Sequence, residues 1–476
     1  MFWRLAERRT ERKSMEHNGA TRQLADFIAR TRYEDLPPAV IEKTKELITD
    51  QLGVALAGSM LPWNRKVLEY VQEMNITGDS RVFGTEHRTS IEYAALINGT
   101  FGHGFELDDY CTPCGAHVGC VVIPAAVAVS EQLRSSGRDF LAAVAIGAES
   151  VLRIGFALTV RGISARGFHS TSVYGPFGAA AASARLLNLD EDAVTHALGI
   201  AGSHCSGTTE YDQTGGDIKR LHAGIAGMAG IRAALLAKRG FTAPPTILEG
   251  KNGTLNAFSS SPAVEKLTES LGSEYFMLKT RIKPYACCGA IIPEIDALKE
   301  ILADHPVAAA QLKSITVGVE NRALSHVGTV GPEPKDITGA QFSSHFSLGL
   351  TTVKGRNDFS AYYEALNNGF SDSDVLEVAK KVTVVHDDEA EEIYPKTRLG
   401  KVRLETVDGH KYHAKVFHPK GSPENPLSRE ELHGKFLGLS AMVVSNQQAQ
   451  ELLEKIQNLQ SVNDFSEISH MMQADR

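Results

Sequence analysis

The sequence predicts a mainly α-helical protein that carries a smaller α+β domain as an insertion. Apolar residues recur at helical spacing through much of the first 274 residues, and short β-rich runs replace them from about Tyr275. A proline-rich linker at residues 419–426 ends the β-rich part, and helical patterning returns after it. We therefore expect residues 1–274 and 420–476 to form one large helical domain, with an α+β domain at residues 275–419.

Four segments in the first part carry the clearest helical signals. Residues 40–55 and 140–156 repeat apolar side chains at every third or fourth position, which is the spacing of one helix face. Residues 179–187 and 225–238 are rich in alanine, whose small side chain lets neighbouring helices approach closely. Together these segments predict a large, fully buried helical bundle.

The α+β domain is predicted from strand-like runs at residues 314–320, 381–386, 401–405 and 412–417. The last two runs flank Asp408-Gly409, a dipeptide that is typical of tight β-hairpin turns. Helical runs lie between the strands, which favours a mixed domain over an all-β one.

The C-terminal part begins with a helix-start signal. Ser428 is followed three residues later by Glu431, the pattern of a capping box, and helical spacing then continues to about Leu459. We expect these helices to pack back on the N-terminal bundle, which leaves the α+β domain as an insertion.

Composition narrows the class of protein. The chain has 476 residues, a formal net charge of −8 and six cysteines, so a nucleic-acid role and a disulfide scaffold are both disfavoured. We find no apolar run of the length that a membrane span needs. The first 15 residues are rich in arginine but also contain glutamate, which fits an organelle-targeting peptide poorly. We expect a cytoplasmic protein without membrane or nucleic-acid partners.

The first candidate site is a cluster of acids and imidazoles between His103 and His117. Glu106, Asp108 and Asp109 lie in this segment, which has no lysine or arginine and is flanked by apolar runs. Buried acids are costly unless they are paired. Titratable groups held against a core have shifted pKa values and are suited to proton transfer.

The second candidate site is His169, which lies between a glycine turn and a Ser/Thr run. This pattern is typical of a helix N-terminus, where an imidazole and free backbone N–H groups bind an anion. The alternative is a histidine that only caps the helix.

The third candidate site contains Lys219, Arg220 and His222 after a glycine pair. We interpret it as a carboxylate clamp, because cations at a helix N-terminus oppose the helix dipole and are explained by an anionic ligand. The alternative is a solvated helix start. The glycine pair does not belong to a phosphate-binding loop, since the required motifs are missing from the sequence.

The cysteines allow two further interpretations. Cys287 and Cys288 follow Lys283 and Tyr285 and are core residues, thiol acid–base groups or metal ligands, with the core favoured. A second set, formed by Cys111, Cys114, His117 and Cys120, resembles a metal loop. Its ligands are packed more tightly than the two separated pairs of an ordinary zinc site, so we expect no metal there.

In this order and spacing, the clusters identify the chain as similar to the MmgE/PrpD family over nearly its whole length. The further motifs that carry the resemblance are Leu52-Gly-Val-Ala-Leu-Ala-Gly58, Ala94-Ala-Leu-Ile-Asn-Gly99, Gly167-Phe-His169, Lys219-Arg-Leu-His-Ala-Gly224, Phe241-Thr-Ala-Pro244, Ile247-Leu-Glu-Gly250 and Lys283-Pro-Tyr-Ala-Cys-Cys288. The resemblance implies a helical domain built from both chain ends, an inserted α+β lid domain and a homodimer. It also implies catalysis without metal or organic cofactor, in a cleft between the domains.

The family's site residues transfer onto this chain position by position. The family's acidic residue falls on Glu106, the Asp108-Asp109 pair matches directly, and the family's histidine and lysine positions match the residues at 117, 169 and 219. The lid departs from the pattern. Ile291 and Ile292 stand where many members have histidine, and Phe346 stands where the decarboxylases have a tyrosine in the cleft. These departures leave the natural substrate open.

We therefore predict a cofactor-independent lyase that transfers a proton next to a carboxylate of a small di- or tricarboxylate. The reaction resembles 2-methylcitrate dehydration or cis-aconitate decarboxylation, with iminodisuccinate-type epimerisation as the runner-up. The candidate catalytic residues are Glu106, Asp108, His117, His169 and Lys219. The candidate substrate-binding residues are His103, Asp109, Arg220, His222, Lys283, Tyr285, Cys288 and Phe346. The alternatives of another class are a metal-dependent hydro-lyase and a catalytically silent ligand-binding scaffold.

Overall fold

The computed structural model describes residues 19–159, 162–163, 166–211 and 215–474. The arginine-rich first 15 residues, for which we expect no targeting role, lie outside these ranges.

The prediction of a mainly α-helical protein is confirmed. The longer helices, in chain order, are α1 (Ala20–Arg30), α2 (Pro38–Gly58), α3 (Pro62–Glu73), α4 (Ile91–Gly102), α5 (Gly119–Leu133), α6 (Gly137–Leu158), α7 (Ser170–Leu186), α8 (Glu191–Gly202), α9 (Ile218–Lys238), α10 (Thr254–Phe258), α11 (Ile292–Asp304), α12 (Ile337–Gln341), α13 (Ser344–Lys354), α14 (Phe359–Asn367), α15 (Ser373–Ala379), α16 (Asp388–Ile393), α17 (Arg429–Ser440), α18 (Asn446–Gln457) and α19 (Ser466–His470). The two alanine-rich segments are the C-terminal parts of α7 and α9.

The helix α6 is almost wholly buried in the helical core. By length and composition it is apolar enough to cross a membrane, although we expected no such run; 94% of its apolar window is buried inside the protein. Its Arg153 pairs with Glu149 at 2.7 Å and donates to the carbonyls of Glu269 and Glu274. A buried charge is stable here because every partner is supplied by the protein.

Close helix packing positions the start of α9. The backbone of Gly224 approaches the carbonyl of Leu96 on α4 so closely that a β-carbon at residue 224 would lie 2.1 Å from that oxygen. The absence of a side chain therefore sets the separation of α4 and α9. As a result, Lys219 in the first turn of α9 lies beside the loop that follows α4.

The strands in the described part of the chain form two sheets. A short hairpin pairs β1 (Ser80–Arg81) with β2 (Arg88–Thr89), and a four-stranded sheet contains β3 (Leu312–Val319), β4 (Val382–His386), β5 (Gly400–Thr406) and β6 (Lys411–Val416) in the order β4-β3-β5-β6. β3 and β4 are parallel, and the other pairs are antiparallel. The hairpin predicted around Asp408-Gly409 joins β5 to β6.

Two large apolar cores accompany these elements. The first contains residues from α1 to Ile282 together with residues from α17, α18 and α19. The second is formed mainly by residues 286–416, with a few residues from α2 and from the loop after α4. The capping box at Ser428 is present, and α17 packs on α2. The division into domains at residues 275 and 419 stays a prediction.

Candidate active site

The loop between α4 and α5 is closed by Asp109. Its carboxylate accepts the backbone N–H groups of Val118 at 3.0 Å and Gly119 at 2.7 Å, the free donors at the start of α5. Burial and the nearby Asp108 raise the pKa of Asp109 to about 7, although the Val118 donor lowers it. Asp109 therefore shapes the loop.

Asp108 faces two imidazoles with one oxygen. Its Oδ2 atom lies 2.7 Å from Nδ1 of His103 and 3.0 Å from Nδ1 of His117. Burial alone would raise the pKa of Asp108, but the two imidazoles hold it well below its ordinary value. Burial lowers the pKa of His103 to about 4 despite the carboxylate, so this ring is neutral near pH 7. Asp108 thus orients both rings with their Nδ1 atoms towards it.

Glu106 holds two lysines beside this group. Its carboxylate pairs with Lys219, and its other oxygen lies 3.3 Å from Nζ of Lys283. Burial alone would raise the pKa of Glu106, but the two ammonium groups hold it far below its ordinary value. Burial alone would likewise lower the pKa of Lys283, but Glu106 and Asp108 raise it. Glu106 is therefore a poor proton acceptor.

This arrangement also changes the explanation for the cation at the start of α9. We expected a bound anion to compensate Lys219, and the structure supplies a carboxylate of the protein itself in that place. Glu106 has a φ of 54°, a left-handed conformation that is uncommon for a residue with a β-carbon. The backbone of the loop thus turns the carboxylate towards both lysines.

His169 is the residue that precedes α7, and its side chain does not cap the helix. Its Nδ1 atom lies 3.0 Å from Nδ1 of His222 on α9. Burial, then His103 and Lys219, lower the pKa of His169 well below its ordinary value. Burial and Lys219 lower the pKa of His222 to about 4. Both rings are neutral near pH 7, so one Nδ1 donates and the other accepts.

These groups meet at a cleft with a volume of about 340 Å³. The wall from the N-terminal part of the chain comes from the loop after α4, the start of α7 and the start of α9. The opposite wall comes from residues 283–290, the segment after β3, Phe342 and the segment before β5. The lining residues are Glu106, Tyr110, Cys111, Thr112, Gly115, His117, Phe168, His169, Ser170, Thr209, Tyr211, Lys219, Lys283, Cys288, Gly289, Ala290, Arg322, Ser325, His326, Phe342, Tyr394 and Arg398.

The structure brings most of the candidate residues to this place. Those that line the cleft are Glu106, His117, His169, Lys219, Lys283 and Cys288. Those that support them without lining it are His103, Asp108, Asp109, Arg220 and His222.

Arg220 was expected to bind the substrate and is used inside the protein instead. It is buried and donates to the carbonyl of Gly104 at 3.0 Å and to the hydroxyl of Thr338 at 2.9 Å. Its guanidinium also lies over the ring of Trp63. These contacts join the loop after α4 to α12 and fix the position of the first turn of α9.

Two candidates lie away from the cleft. The hydroxyl of Tyr285 donates to Asp296 on α11 at 2.7 Å, which turns the ring away from the cavity. Phe346 is buried in the second core against Tyr362 and Phe370. The first turn of α13 is fixed by Ser343, whose hydroxyl accepts the N–H of Phe346, and this register directs the phenyl ring into the core. The nearby aromatic side chain that does line the cleft is Phe342.

The sequence interpretation missed Arg322 and Arg398. Arg322 follows β3, and Arg398 precedes β5, its antiparallel neighbour, so both residues lie at the same edge of the sheet. A correct prediction that β3 and β5 pair would therefore have placed these two arginines side by side. Arg398 pairs with Glu320 and lies over the ring of Tyr394, and the carboxylate raises its pKa although burial alone would lower it.

The cysteines do not assemble into the metal loop that we considered. Cys114 and Cys120 direct their thiols at the carbonyls of Cys111 and His117. Within the described residues, the one group with metal-ligand spacing is His103, Asp108 and His117. The 2.7 Å bond between His103 and Asp108 already uses the carboxylate to orient an imidazole, and the set is suited to acid–base chemistry as it stands.

Comparison with known proteins extends over nearly the entire chain. The MmgE/PrpD N-terminal domain matches residues 22–267, and the MmgE/PrpD C-terminal domain matches residues 285–461. A cis-aconitate decarboxylase of Aspergillus terreus (strain NIH 2624 / FGSC A1156) is 28% identical over 474 residues, which cover 96% of each chain. The cis-aconitate decarboxylases of Mus musculus and Homo sapiens are 27% and 26% identical, over 95% of this chain and 93% and 94% of theirs.

Proposed function

The chain belongs to the MmgE/PrpD family, and on that premise we propose that it is a cofactor-independent lyase acting on a small di- or tricarboxylate. Its curated relatives are named cis-aconitate decarboxylases, which favours a decarboxylase or dehydratase type of reaction. Among these, decarboxylation of a tricarboxylate such as cis-aconitate is the first reaction to test.

The charge of the cleft is the observation that carries this proposal. Lys219, Lys283, Arg322 and Arg398 line it, and Glu106 is the one carboxylate among the described residues that do so. Glu106 pairs with Lys219 and Lys283, and Glu320 pairs with Arg398, but the cations that line the cleft outnumber its lining carboxylate. Positive groups stand on both walls, so a substrate with carboxylates at two ends meets a cation at each end. A cavity of about 340 Å³ suits a metabolite of this size.

The proton carriers are assigned from their partners. His117 lines the cleft and has Asp108 behind it, so a proton taken up at the exposed nitrogen is stabilised by the carboxylate. His169 also lines the cleft, but its lowered pKa keeps the ring neutral, which suits an acceptor or a neutral hydrogen-bond donor. Lys219 supplies fixed positive charge where a carboxylate gains enolate-like character.

The reaction balances with these groups. In a decarboxylation, the C–C bond to the leaving carboxylate breaks, CO2 departs, and the electron pair stays on the substrate until the imidazolium of His117 delivers a proton. In a dehydration, one imidazole removes the C–H proton and the departing hydroxide leaves as water with a proton from the second group. Neither reaction requires an electron donor or acceptor.

The decisive experiment incubates the protein with cis-aconitate, citrate, 2-methylcitrate and succinate in D2O and follows each by NMR. We expect one of the tricarboxylates either to lose a carboxylate as CO2, with deuterium incorporated at one carbon of the product, or to lose water, with loss of one C–H signal. The variant Lys219→Met tests the cleft. Its matched control is Lys455→Met, which changes a surface lysine paired with Glu467. The second variant should behave as the unmodified protein.

The other outcomes identify the alternatives. Deuterium exchange with inversion but without loss of CO2 or water would favour an epimerase, for which His117 and His169 offer two proton carriers with ring centroids 6.5 Å apart. Tight binding of a polycarboxylate without any exchange would indicate a silent scaffold. Loss of turnover on removal of a bound metal would favour the hydro-lyase. A homodimer stays a prediction, which sedimentation of the full chain tests.

A further inference from the structure

We propose that Lys435 on α17 is a positioning residue. It holds the loop that carries Glu106 and Asp108 in a fixed position relative to the backbone at Lys283. It lies in the C-terminal helices and does not line the cleft. The inference rests on the proposed function, because it concerns the same acid–base group.

The ammonium group of Lys435 makes three contacts. It donates to the carbonyl of Leu107 at 2.9 Å and to the carbonyl of Lys283 at 2.8 Å, and it pairs with the carboxylate of Asp50 on α2. An ammonium group has three N–H donors. All three are therefore used within the protein, and the side chain is only 11% exposed.

The two carbonyls belong to two different segments, the loop after α4 and the segment that contains Lys283. Leu107 stands between Glu106 and Asp108, the carboxylates that hold the lysines and the imidazoles. Lys283 belongs to the segment that leads into the second core, and its own side chain returns to Glu106 through a 3.0 Å bond to the backbone carbonyl. Lys435 therefore ties the backbone on both sides of the Lys283–Glu106 contact.

This tie has a geometric consequence for the reaction. Proton transfer requires that the reacting atoms stay within hydrogen-bond reach, and small displacements of a supporting backbone reduce the rate strongly. The loop at Leu107 has no other side chain donor to its carbonyl among the described residues, so loss of Lys435 would free this part of the loop. Turnover should then fall more than substrate binding does.

A purely structural role for Lys435 predicts something different. Removing one partner of a buried ion pair leaves Asp50 uncompensated, which destabilises a protein whatever the pair does for catalysis. Replacing both partners by neutral groups is often tolerated. The double variant Asp50→Asn/Lys435→Met thus removes the charge problem while still leaving both carbonyls without their donor.

The experiment compares Lys435→Met, Asp50→Asn, the double variant and the surface control Lys455→Met by thermal unfolding and by kcat and KM. We expect Lys435→Met to lower both stability and kcat, with kcat reduced roughly a hundredfold and KM changed much less. The double variant should regain stability but not kcat. Asp50→Asn keeps the two carbonyl bonds and should keep most of kcat.

The positioning role is overturned if the double variant recovers kcat to within about threefold of Asp50→Asn. Failure of the proposed function is recognised separately, because the unmodified protein would then turn over none of the polycarboxylates. In that case the imidazole 15N resonances of His103 test the positioning role of Lys435, since this ring is hydrogen-bonded to Asp108, the residue after Leu107. They should move in the double variant and remain in place in Lys455→Met; unchanged resonances overturn the inference.

Discussion

The Nδ1 atoms of His169 and His222 lie 3.0 Å apart, so one of these atoms carries a proton and the other accepts it. If His169 is to accept a proton from the substrate through its other nitrogen, its Nδ1 must donate to His222; if it is to donate one, its Nδ1 must accept from His222. The tautomer of the ring in the cleft is therefore decided by a residue that does not line the cleft.

This relationship predicts the effect of His222→Leu. We expect turnover to fall roughly tenfold or more, because the ring of His169 loses the bond that fixes its tautomer. The measurement is kcat as a function of pH. His386→Leu, at an exposed histidine that pairs with Asp388, should leave the profile unchanged. A normal profile in the His222 variant would remove this bond from the mechanism.

A second prediction concerns Asp108→Asn. An amide has no charge with which to stabilise an imidazolium, so neither ring keeps the anionic partner that it has beside Asp108. We expect kcat to fall by roughly a hundredfold to ten-thousandfold, the scale seen when general acid–base catalysis is lost. Asp388→Asn is the exposed control. Retained turnover in a folded Asp108 variant would show that neither His103 nor His117 needs the carboxylate.

The lysines predict how the protein responds to a ligand. Citrate should raise the melting temperature of the unmodified protein, because an anion that binds only the native state stabilises it. Lys219→Met should remove most of this rise and most of the activity. The variant leaves Glu106 with Lys283 as its nearest cation, so a moderate loss of intrinsic stability is expected as well. An equal rise in melting temperature in both proteins would contradict a role of Lys219 in binding the anion.

The positions of Arg322 and Arg398 predict that the protein distinguishes tricarboxylates from dicarboxylates by their charge. In Arg398→Gln and Arg322→Gln, KM for a tricarboxylate should rise by roughly tenfold to a hundredfold, whereas KM for a dicarboxylate should change less. The reason is that these residues stand on the wall opposite Glu106 and Lys219 and would meet the distal carboxylate. Arg403→Gln, on β5 but outside the cleft, is the control. Equal changes for both substrate classes would place the distal carboxylate elsewhere.

A buried acid predicts the dependence of stability on pH. Burial raises the pKa of Glu294 on α11 from 4.5 to about 8, although the Ser344 hydroxyl lowers it. The folded state thus holds a proton that the unfolded state releases between these values, and this contribution to stability is lost as the pH rises through about 8. Relative to the unmodified protein, Glu294→Gln should gain about 1.4 kcal/mol for each pH unit across that window.

Thermal unfolding of both proteins from pH 5 to pH 9 measures this difference. The melting temperatures should be closest at pH 5 and should separate as the pH rises. Parallel curves would show that Glu294 is ionised in the folded protein. Glu300→Gln, on the same helix but less buried, serves as the comparison.

The sequence was a good guide wherever the relevant residues are close along the chain. The group from His103 to His117 and the Asp408-Gly409 hairpin needed only local spacing to be recognised. The contact between Glu106 and Lys219, by contrast, joins residues 113 positions apart. It depends on how α4 and α9 approach each other, which the spacing of apolar residues along the sequence does not predict.

Register explains the candidates that lie elsewhere. Tyr285 and Phe346 were assigned to the cleft from their motifs, but a rotation of the backbone by one residue sends a side chain to another surface. The capping bond of Ser343 and the Tyr285–Asp296 bond decide those directions. Arg322 and Arg398 were overlooked for the opposite reason, since they become neighbours only when β3 and β5 pair.

The close approach at Gly224 bears on how tolerance to mutation should be interpreted in this protein. A methyl group there would collide with the Leu96 carbonyl and push the first turn of α9, with Lys219, away from Glu106. Randomising position 224 would thus produce inactive proteins although the residue touches no substrate. Conversely, a paired deletion of bulk at a neighbouring α4 position would not rescue them, because the obstacle is the peptide backbone, which every amino acid shares.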